Sequence, residues 1–154
     1  MNKNLTEIVY ILDRSGSMSG LEKDTIGGYN SFLKKQKAEP GQAVVTTVLF
    51  DDKCEIIHDR VDIRKVAPLT NRQYYARGMT ALLDAIGETV KRVSNRHKNA
   101  LPGEVPAKTI VVITTDGCEN ASMEYTYRMV ADMVRVQKEK YGWEFLFLGA
   151  NIDA

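Results

Sequence analysis

Cysteine, proline and tryptophan are scarce in this 154-residue sequence, which has two, four and one of them respectively. Cys54 and Cys118 form no Cys-x-x-Cys pair and have no histidine at zinc-ligand spacing, which excludes a disulfide scaffold and a zinc finger. We expect both to be reduced thiols in a cytoplasmic protein, with Cys118 a partly buried loop residue rather than a redox centre. Eleven glycines and four prolines are also too few for a collagen-like or disordered chain.

An excess of one charge and long apolar runs are also lacking. Lys and Arg number 21 against 20 Asp and Glu, and the formal net charge of +1 favours neither a nucleic-acid partner nor an acidic tail. No apolar run approaches the ~20 residues that span a membrane. Near the start of the chain, the apolar residues 8–12 are followed at once by Asp13, so a secretory signal is not indicated. We therefore expect no nucleic-acid and no membrane partner.

Short apolar runs alternate with longer stretches of helical periodicity. Three of the runs are almost continuously apolar, which is typical of parallel strands that are covered on both faces. Only residues 51–53 separate the second run from the third, and a gap of that length permits a hairpin but no helical crossover. The predicted strands are residues 8–12, 44–50, 54–58, 109–114 and 144–148.

The stretches between the runs predict helices over residues 21–37, 81–97 and 123–141, the last with Gly142 as its C-terminal cap. Alternating strands and helices indicate an α/β fold, with a doubly wound, mostly parallel, Rossmann-like sheet and one antiparallel hairpin at its edge. A chain of this length forms a single domain, residues 1–154, without a disulfide or structural metal. It ends right after an apolar strand, where such folds normally add a helix. We therefore expect either a shortened domain that lacks this C-terminal helix or a dimer that covers the strand.

Oxygen-bearing side chains collect where two of the predicted strands end. Asp13, Ser15 and Ser17 follow the first strand in one tight turn, which lets their oxygens converge on one point. Asp116 follows the fourth strand. If these strands are neighbours at the switch point of the sheet, the two carboxylates face each other across the crevice there. Thr80, just ahead of the helix predicted over 81–97, adds one more hydroxyl.

Two carboxylates and three hydroxyls, with no imidazole or thiolate, suit Mg²⁺ or Mn²⁺ better than zinc or copper. The two carboxylates neutralise a divalent ion, and hydroxyls are weak donors, so such an ion keeps a position for another anionic oxygen. A simpler interpretation makes Ser15 and Ser17 helix-capping hydroxyls and Asp116 an Asx-turn residue. That interpretation explains each residue separately but not their coincidence, so the sequence favours a metal site.

This pattern resembles the metal-ion-dependent adhesion site of the von Willebrand factor type A (integrin I-like) domain, in small members of the bacterial type. The family's first motif, Asp-x-Ser-x-Ser, is matched by Asp13, Ser15 and Ser17, its second-loop threonine by Thr80, and its third-loop aspartate by Asp116. The resemblance covers nearly the whole chain. It implies a Mg²⁺ or Mn²⁺ ion at these residues, completed by a Glu or Asp carboxylate of a partner protein. It also implies a binding module and not an enzyme.

Two other classes compete with this interpretation. A Mg²⁺-dependent phosphatase of the haloacid dehalogenase type also has an aspartate after its first strand, a role that Asp13 would take. Its Asp-x-Asp motif requires a second acid as general acid, and Ser15 occupies that position. A nucleotide site would require Gly-x-x-x-x-Gly-Lys-[Ser/Thr] or Gly-x-Gly-x-x-Gly, and residues 15–20 match neither.

Four other polar residues lie near the ends of predicted elements. His58 and His97 have no second metal-type ligand nearby in the sequence, and we expect both to lie on the surface. Glu119 and Asn120 follow Asp116 closely, and we expect them to orient its loop.

Overall fold

The computed structural model describes residues 2–116 and 119–149, so the expectation for Cys118 lies outside the described residues. Its five strands form one sheet: β1 (Asn2–Asp13), β2 (Gln42–Phe50), β3 (Cys54–Asp62), β4 (Pro106–Thr115) and β5 (Glu144–Gly149). Their order is β3-β2-β1-β4-β5. The pair β2–β3 is antiparallel and the pairs β1–β2, β1–β4 and β4–β5 are parallel. The predicted α/β fold with one antiparallel edge hairpin is therefore confirmed.

Three helices cover the two faces of the sheet. On one face, α1 (Glu22–Lys37) packs Tyr29 and Leu33 against the side chains of alternate β1 residues, among them Tyr10. On the other face, α2 (Leu82–Asn99) and α3 (Tyr127–Tyr141) pack against Val9 and Ile11. β1 is thus buried on both sides, as its continuous apolar run predicts.

The helix prediction is wrong at the start of α3, which begins at Tyr127 and not at residue 123. Thr126 caps the helix by accepting a hydrogen bond from the backbone N–H of Met129. Residues 123–125 instead donate their backbone N–H groups to the carboxylate of Asp84. The helix ends as predicted, because Gly142 adopts the left-handed conformation with φ of 71°.

Both histidines differ from the expectation of surface residues. His58 is partly buried within β3, and its Nδ1 lies 2.9 Å from the hydroxyl of Thr47. The side chain of His97 is 13% exposed, and its Nε2 lies 3.0 Å from Oε1 of Glu7, a fully buried residue of the central strand. The prediction failed because each histidine has its partner on a different strand or helix.

Apolar side chains stay exposed on β5, where Leu146, Phe147 and Leu148 are 41%, 59% and 41% exposed. Among the described helices, none has both the length and the apolar composition that crossing a bilayer requires.

Candidate metal centre

The end of β1 and the end of β4 lie side by side at one edge of the sheet. The two strands are parallel neighbours in a register that pairs Leu12 with Thr114. This pairing confirms the predicted adjacency of the first and fourth strands. Asp13 is the last residue of β1, and Asp116 follows the last residue of β4. The two carboxylates are close enough for the charge of Asp116 to act on Asp13.

Asp13 is held in place by hydrogen bonds at both of its carboxylate oxygens. Oδ1 accepts the backbone N–H of Ser15 at 2.8 Å, and Oδ2 accepts the hydroxyl of Thr115 at 2.8 Å. The side chain is fully buried. Burial raises the pKa of Asp13, the hydrogen bonds of Ser15 and Thr115 oppose that shift, and the negative charge of Asp116 adds to it. The site therefore contains a desolvated carboxylate within range of the charge of a second one.

The first loop brings two hydroxyls together. The Oγ atoms of Ser15 and Ser17 lie 2.9 Å apart, with Ser15 buried and Ser17 exposed. The residue between them, Gly16, donates its backbone N–H to the carbonyl oxygen of Gly78 at 2.9 Å. A Cβ atom at Gly16 would lie only 3.2 Å from that same oxygen, so glycine allows this close approach. The first loop is thus attached to the second, two residues before Thr80.

Thr80 is buried and is fixed through its backbone by Asn120. The backbone N–H of Thr80 donates to Oδ1 of Asn120 at 2.8 Å, and the carbonyl of Thr80 accepts the N–H groups of Asn120 and Ala121 at 2.9 and 3.0 Å. The expectation that Asn120 orients a loop is supported, since it joins the segment after Asp116 to the loop that carries Thr80.

The segment 119–125 also caps the N-terminus of α2. The backbone N–H of Leu83 donates to Oε1 of Glu119, and that of Asp84 donates to Oγ of Ser122, both at 3.0 Å. In return, the Asp84 carboxylate accepts the three N–H groups of residues 123–125 at 2.9–3.0 Å. Amides in the first turn of a helix have no partner within the helix, and here the third loop supplies it. The sequence analysis missed Asp84, although an acidic residue in a first helical turn is a known capping signal.

An ion network built on the buried side chains of Arg14 and Asp51 supports the first two loops from the side of β2. Arg14 is 2% exposed, and its guanidinium lies 2.9 Å from Oε2 of Glu55 and 3.7 Å from Oδ2 of Asp51. Nε of Arg77 also contacts Asp51 Oδ2, at 2.9 Å. Burial opposes ionisation of Asp51, but a hydrogen bond from the backbone of Lys53 and the two arginines lower its pKa. Asp51 thereby connects the residue after Asp13 to the loop before Thr80.

The predicted site residues are therefore arranged in three connected loops. Hydrogen bonds join Ser15 to Asp13 and to Ser17, and Asp116 acts on Asp13 by charge. Thr80 is connected to the others through the backbone of its loop. These are hard oxygen donors, and they fit Mg²⁺ or Mn²⁺ rather than a thiolate- or imidazole-seeking ion. Within residues 2–116 and 119–149, no group of three or more His, Cys, Asp or Glu side chains offers an alternative metal site.

No protein-family profile matches the sequence, and no curated protein matches it significantly. Solved structures do match its fold. A von Willebrand factor type A protein from Catenulispora acidiphila matches with a TM-score of 0.63 and 16% identity, over 96% of this chain and 33% of that one. The ArnB paralog VWA2 from Sulfolobus acidocaldarius matches with a TM-score of 0.58 and 14% identity, over 96% of this chain and 35% of that one.

An aerotolerance-related membrane protein from Bacteroides fragilis matches with a TM-score of 0.55 and 16% identity, over 94% of this chain and 67% of that one. The chain thus spans about a third of the length of the first two proteins and two-thirds of the third. Identities this low carry no inference about ligands, but the shared architecture extends over almost the entire chain. The chain therefore has the Rossmann-like fold of von Willebrand factor type A domains.

Proposed function

We propose that this domain is a cytoplasmic protein-binding module that holds Mg²⁺ or Mn²⁺ at Asp13, Ser15, Ser17, Thr80 and Asp116. Through that ion it binds a Glu or Asp side chain of a partner protein. The observation that carries the proposal is the complete burial of Asp13 beside a second carboxylate. A desolvated carboxylate is costly to keep ionised without a positive partner, and a bound cation offsets that cost. None of the ion pairs within the described residues involves Asp13.

The hydrogen bonds at Asp13 leave it able to bind a cation. A carboxylate has about four lone-pair sites. The backbone N–H and the hydroxyl of Ser15 and the hydroxyl of Thr115 use three of these sites at most, so the carboxylate keeps a lone pair for a cation. The same bonds fix the plane of the carboxylate before any ion arrives, which reduces the conformational entropy lost on binding.

The charge balance of the site favours an anionic oxygen from outside. When bound, the ion supplies an electrophilic position for that oxygen. Asp13 and Asp116 neutralise a divalent charge, whereas the hydroxyls are neutral ligands. Ser17 is exposed and Asp116 is only partly buried, so a side chain of another protein can reach this edge of the sheet. At position 15, where the phosphatase alternative requires a general acid, the chain has a serine whose hydroxyl contacts that of Ser17.

Calorimetry on metal-stripped protein tests the metal site. Mn²⁺ and Mg²⁺ are titrated into the wild-type chain, into Asp13→Asn and into Asp132→Asn. Asp132→Asn is the matched control, because Asp132 is a half-exposed aspartate on α3 that pairs with Arg135. We expect one ion to bind to the wild type and to the control, and none to Asp13→Asn. Equal binding to all three proteins, or no binding to the wild type, contradicts the proposal.

Water-proton relaxation of the Mn²⁺-loaded protein tests the partner chemistry separately. A short peptide with a central glutamate should lower the relaxation enhancement, because its carboxylate displaces a metal-bound water. The same peptide with glutamine in that place should leave the enhancement unchanged. If both peptides act equally, the ion does not recognise a carboxylate, even if the metal site itself is real.

A further inference from the structure

A cavity lies at the opposite edge of the sheet from the proposed metal site. It has a volume of about 290 Å³ and is enclosed by the last turns of α2 and α3 and the first residues of β4. Its position and its residues share nothing with the loops around Asp13. The volume is at the lower end of the roughly 300–1,000 Å³ that is typical of small-molecule sites.

Three buried side chains that line this cavity carry hydrogen-bond donors that have no partner among the described residues. Thr109, Gln137 and Trp143 are 3%, 8% and 6% exposed. No hydrogen bond from the Thr109 hydroxyl, the Gln137 amide or the Trp143 indole is formed within the described residues. Although they are unpaired, these polar atoms are not fully buried from solvent. They therefore keep access to solvent through the cavity that they line.

Because these atoms are open to solvent, water satisfies them in the free protein, and a ligand that enters the cavity must replace those hydrogen bonds. A buried Trp N–H in particular usually has a hydrogen-bond partner. The threonine hydroxyl can donate or accept, the amide can donate twice, and the indole only donates. An acceptor-rich group inside the cavity would satisfy all three, whereas a ligand that offers only donors would leave the indole unpaired.

The charges at the cavity favour an anion. Lys98 and Lys140, from the last turns of α2 and α3, line it and are exposed. His97 also lines it, and its Nε2 is directed to Oε1 of Glu7, which Arg60 approaches at 3.5 Å. The carboxylate of Glu7 is thus already paired with two basic groups. The two lysines have no ion-pair partner within the described residues.

The wall of the cavity favours a flat ligand. Trp143 contacts His97 edge to face, with ring centroids 5.6 Å apart, and stacks on Phe145 at 6.1 Å. Pro106 and Val105 supply further apolar surface. A planar ring can pack here while an anionic group lies near the lysines.

We propose that this cavity binds a small organic anion with a planar apolar body and a carboxylate or phosphate group. The site is independent of the metal centre. Its occupancy does not require the ion and is unaffected by EDTA.

Trp143 is the only tryptophan of the chain, so its fluorescence reports this cavity directly. Benzoate and phenyl phosphate are the anionic probes, benzyl alcohol and benzylamine are the neutral and cationic ones, and inorganic phosphate lacks the ring. With EDTA present, we expect a saturable change in emission with at least one organic anion. We expect binding at least tenfold weaker for the alcohol, the amine and inorganic phosphate. The relative affinity of benzoate and phenyl phosphate distinguishes a carboxylate ligand from a phosphate ester.

Paired lysine substitutions locate the binding. Lys98→Gln with Lys140→Gln should weaken binding of the organic anion at least fivefold. Lys34→Gln with Lys35→Gln is the matched control, because these exposed lysines lie in the last turn of α1 on the other face of the sheet. An unchanged thermal midpoint shows that each variant is folded. The proposal is overturned if no probe gives a saturable change, if benzylamine binds as well as benzoate, or if both lysine pairs behave alike.

Discussion

Replacing Asp13 by asparagine should remove metal binding without unfolding the protein. The carboxylate accepts hydrogen bonds from the backbone of Ser15 and from the hydroxyl of Thr115. An asparagine oxygen can accept the first, and its amide can donate to the hydroxyl, which then acts as acceptor. The substitution also removes a buried charge that faces Asp116. We therefore expect the free energy of unfolding of the metal-free variant to lie within about 1 kcal/mol of that of the metal-free wild type.

Alanine at the same position should behave differently. It removes the charged acceptor of two hydrogen bonds, and each lost bond costs about 1–3 kcal/mol. The sum of about 2–6 kcal/mol corresponds to a loss of roughly 5–20 °C in thermal midpoint for a domain of this size. Asparagine and alanine at this position therefore separate the role of the charge from the role of the hydrogen bonds.

Thermal unfolding in EDTA and in excess Mg²⁺ or Mn²⁺ measures both effects. At an ion concentration of 100 times its Kd, binding stabilises the wild type by about 2.7 kcal/mol. That is roughly 5–10 °C in thermal midpoint, and the asparagine variant should show none of it. A metal-dependent shift that survives in Asp13→Asn would refute the assignment of Asp13 as a ligand. An asparagine variant as unstable in EDTA as the alanine variant would refute the hydrogen-bond argument.

Three further experiments test other parts of the structure. Gly28→Ala, in the exposed interior of α1, should stabilise the protein by about 0.5–1 kcal/mol. Gly142→Ala should destabilise the protein by about 1–2 kcal/mol, because the φ of Gly142 is 71°. Thermal unfolding in which both substitutions shift the stability in the same direction would contradict this argument. Asp84→Ala removes the acceptor of three backbone amides and should lower the stability of the protein by about 1–3 kcal/mol. Proteolysis within residues 121–125 should become faster. An unchanged cleavage rate would show that these hydrogen bonds do not hold the segment. Burial and the charge of Glu88 raise the pKa of Cys54 to about 12. Its reaction with Ellman's reagent at pH 8, scored by peptide mapping, should therefore be at least tenfold slower than that of an unperturbed thiol. The reaction rate should keep rising with pH above 9, and a plateau near pH 9 would contradict the shift.

The strands and the hairpin were predictable because the evidence for them is local. Continuous apolar runs indicate strands covered on both sides, and the short gap at residues 51–53 permits no crossover. The adjacency of β1 and β4 also followed from the general topology of doubly wound sheets. The local pattern and the general topology were together enough to predict that Asp13 and Asp116 lie at the same edge of the sheet.

The failures share a different cause, which is contact between residues far apart in the sequence. Residues 123–125 fit helical spacing, yet Asp84, about 40 positions earlier, holds their amides in a loop. The burial of Arg14, which its residue type does not suggest, likewise depends on Asp51 of the hairpin turn and Glu55 of β3. His97 is partly buried for the same reason, through Glu7. The charge pattern and the periodicity of the sequence do not predict which distant residues will be in contact.

The hydrogen bonds between the third loop and α2 have a consequence for how the loop's motion can be observed. Amides in the first turn of a helix usually exchange rapidly with solvent because they have no acceptor. Here the amides of Leu83 and Asp84 donate to Glu119 and Ser122, so they exchange only when the segment after Asp116 leaves the helix. The rate of deuterium uptake at these two amides therefore measures how often that loop opens. A ligand that closes the loop will slow this uptake even if it touches neither amide.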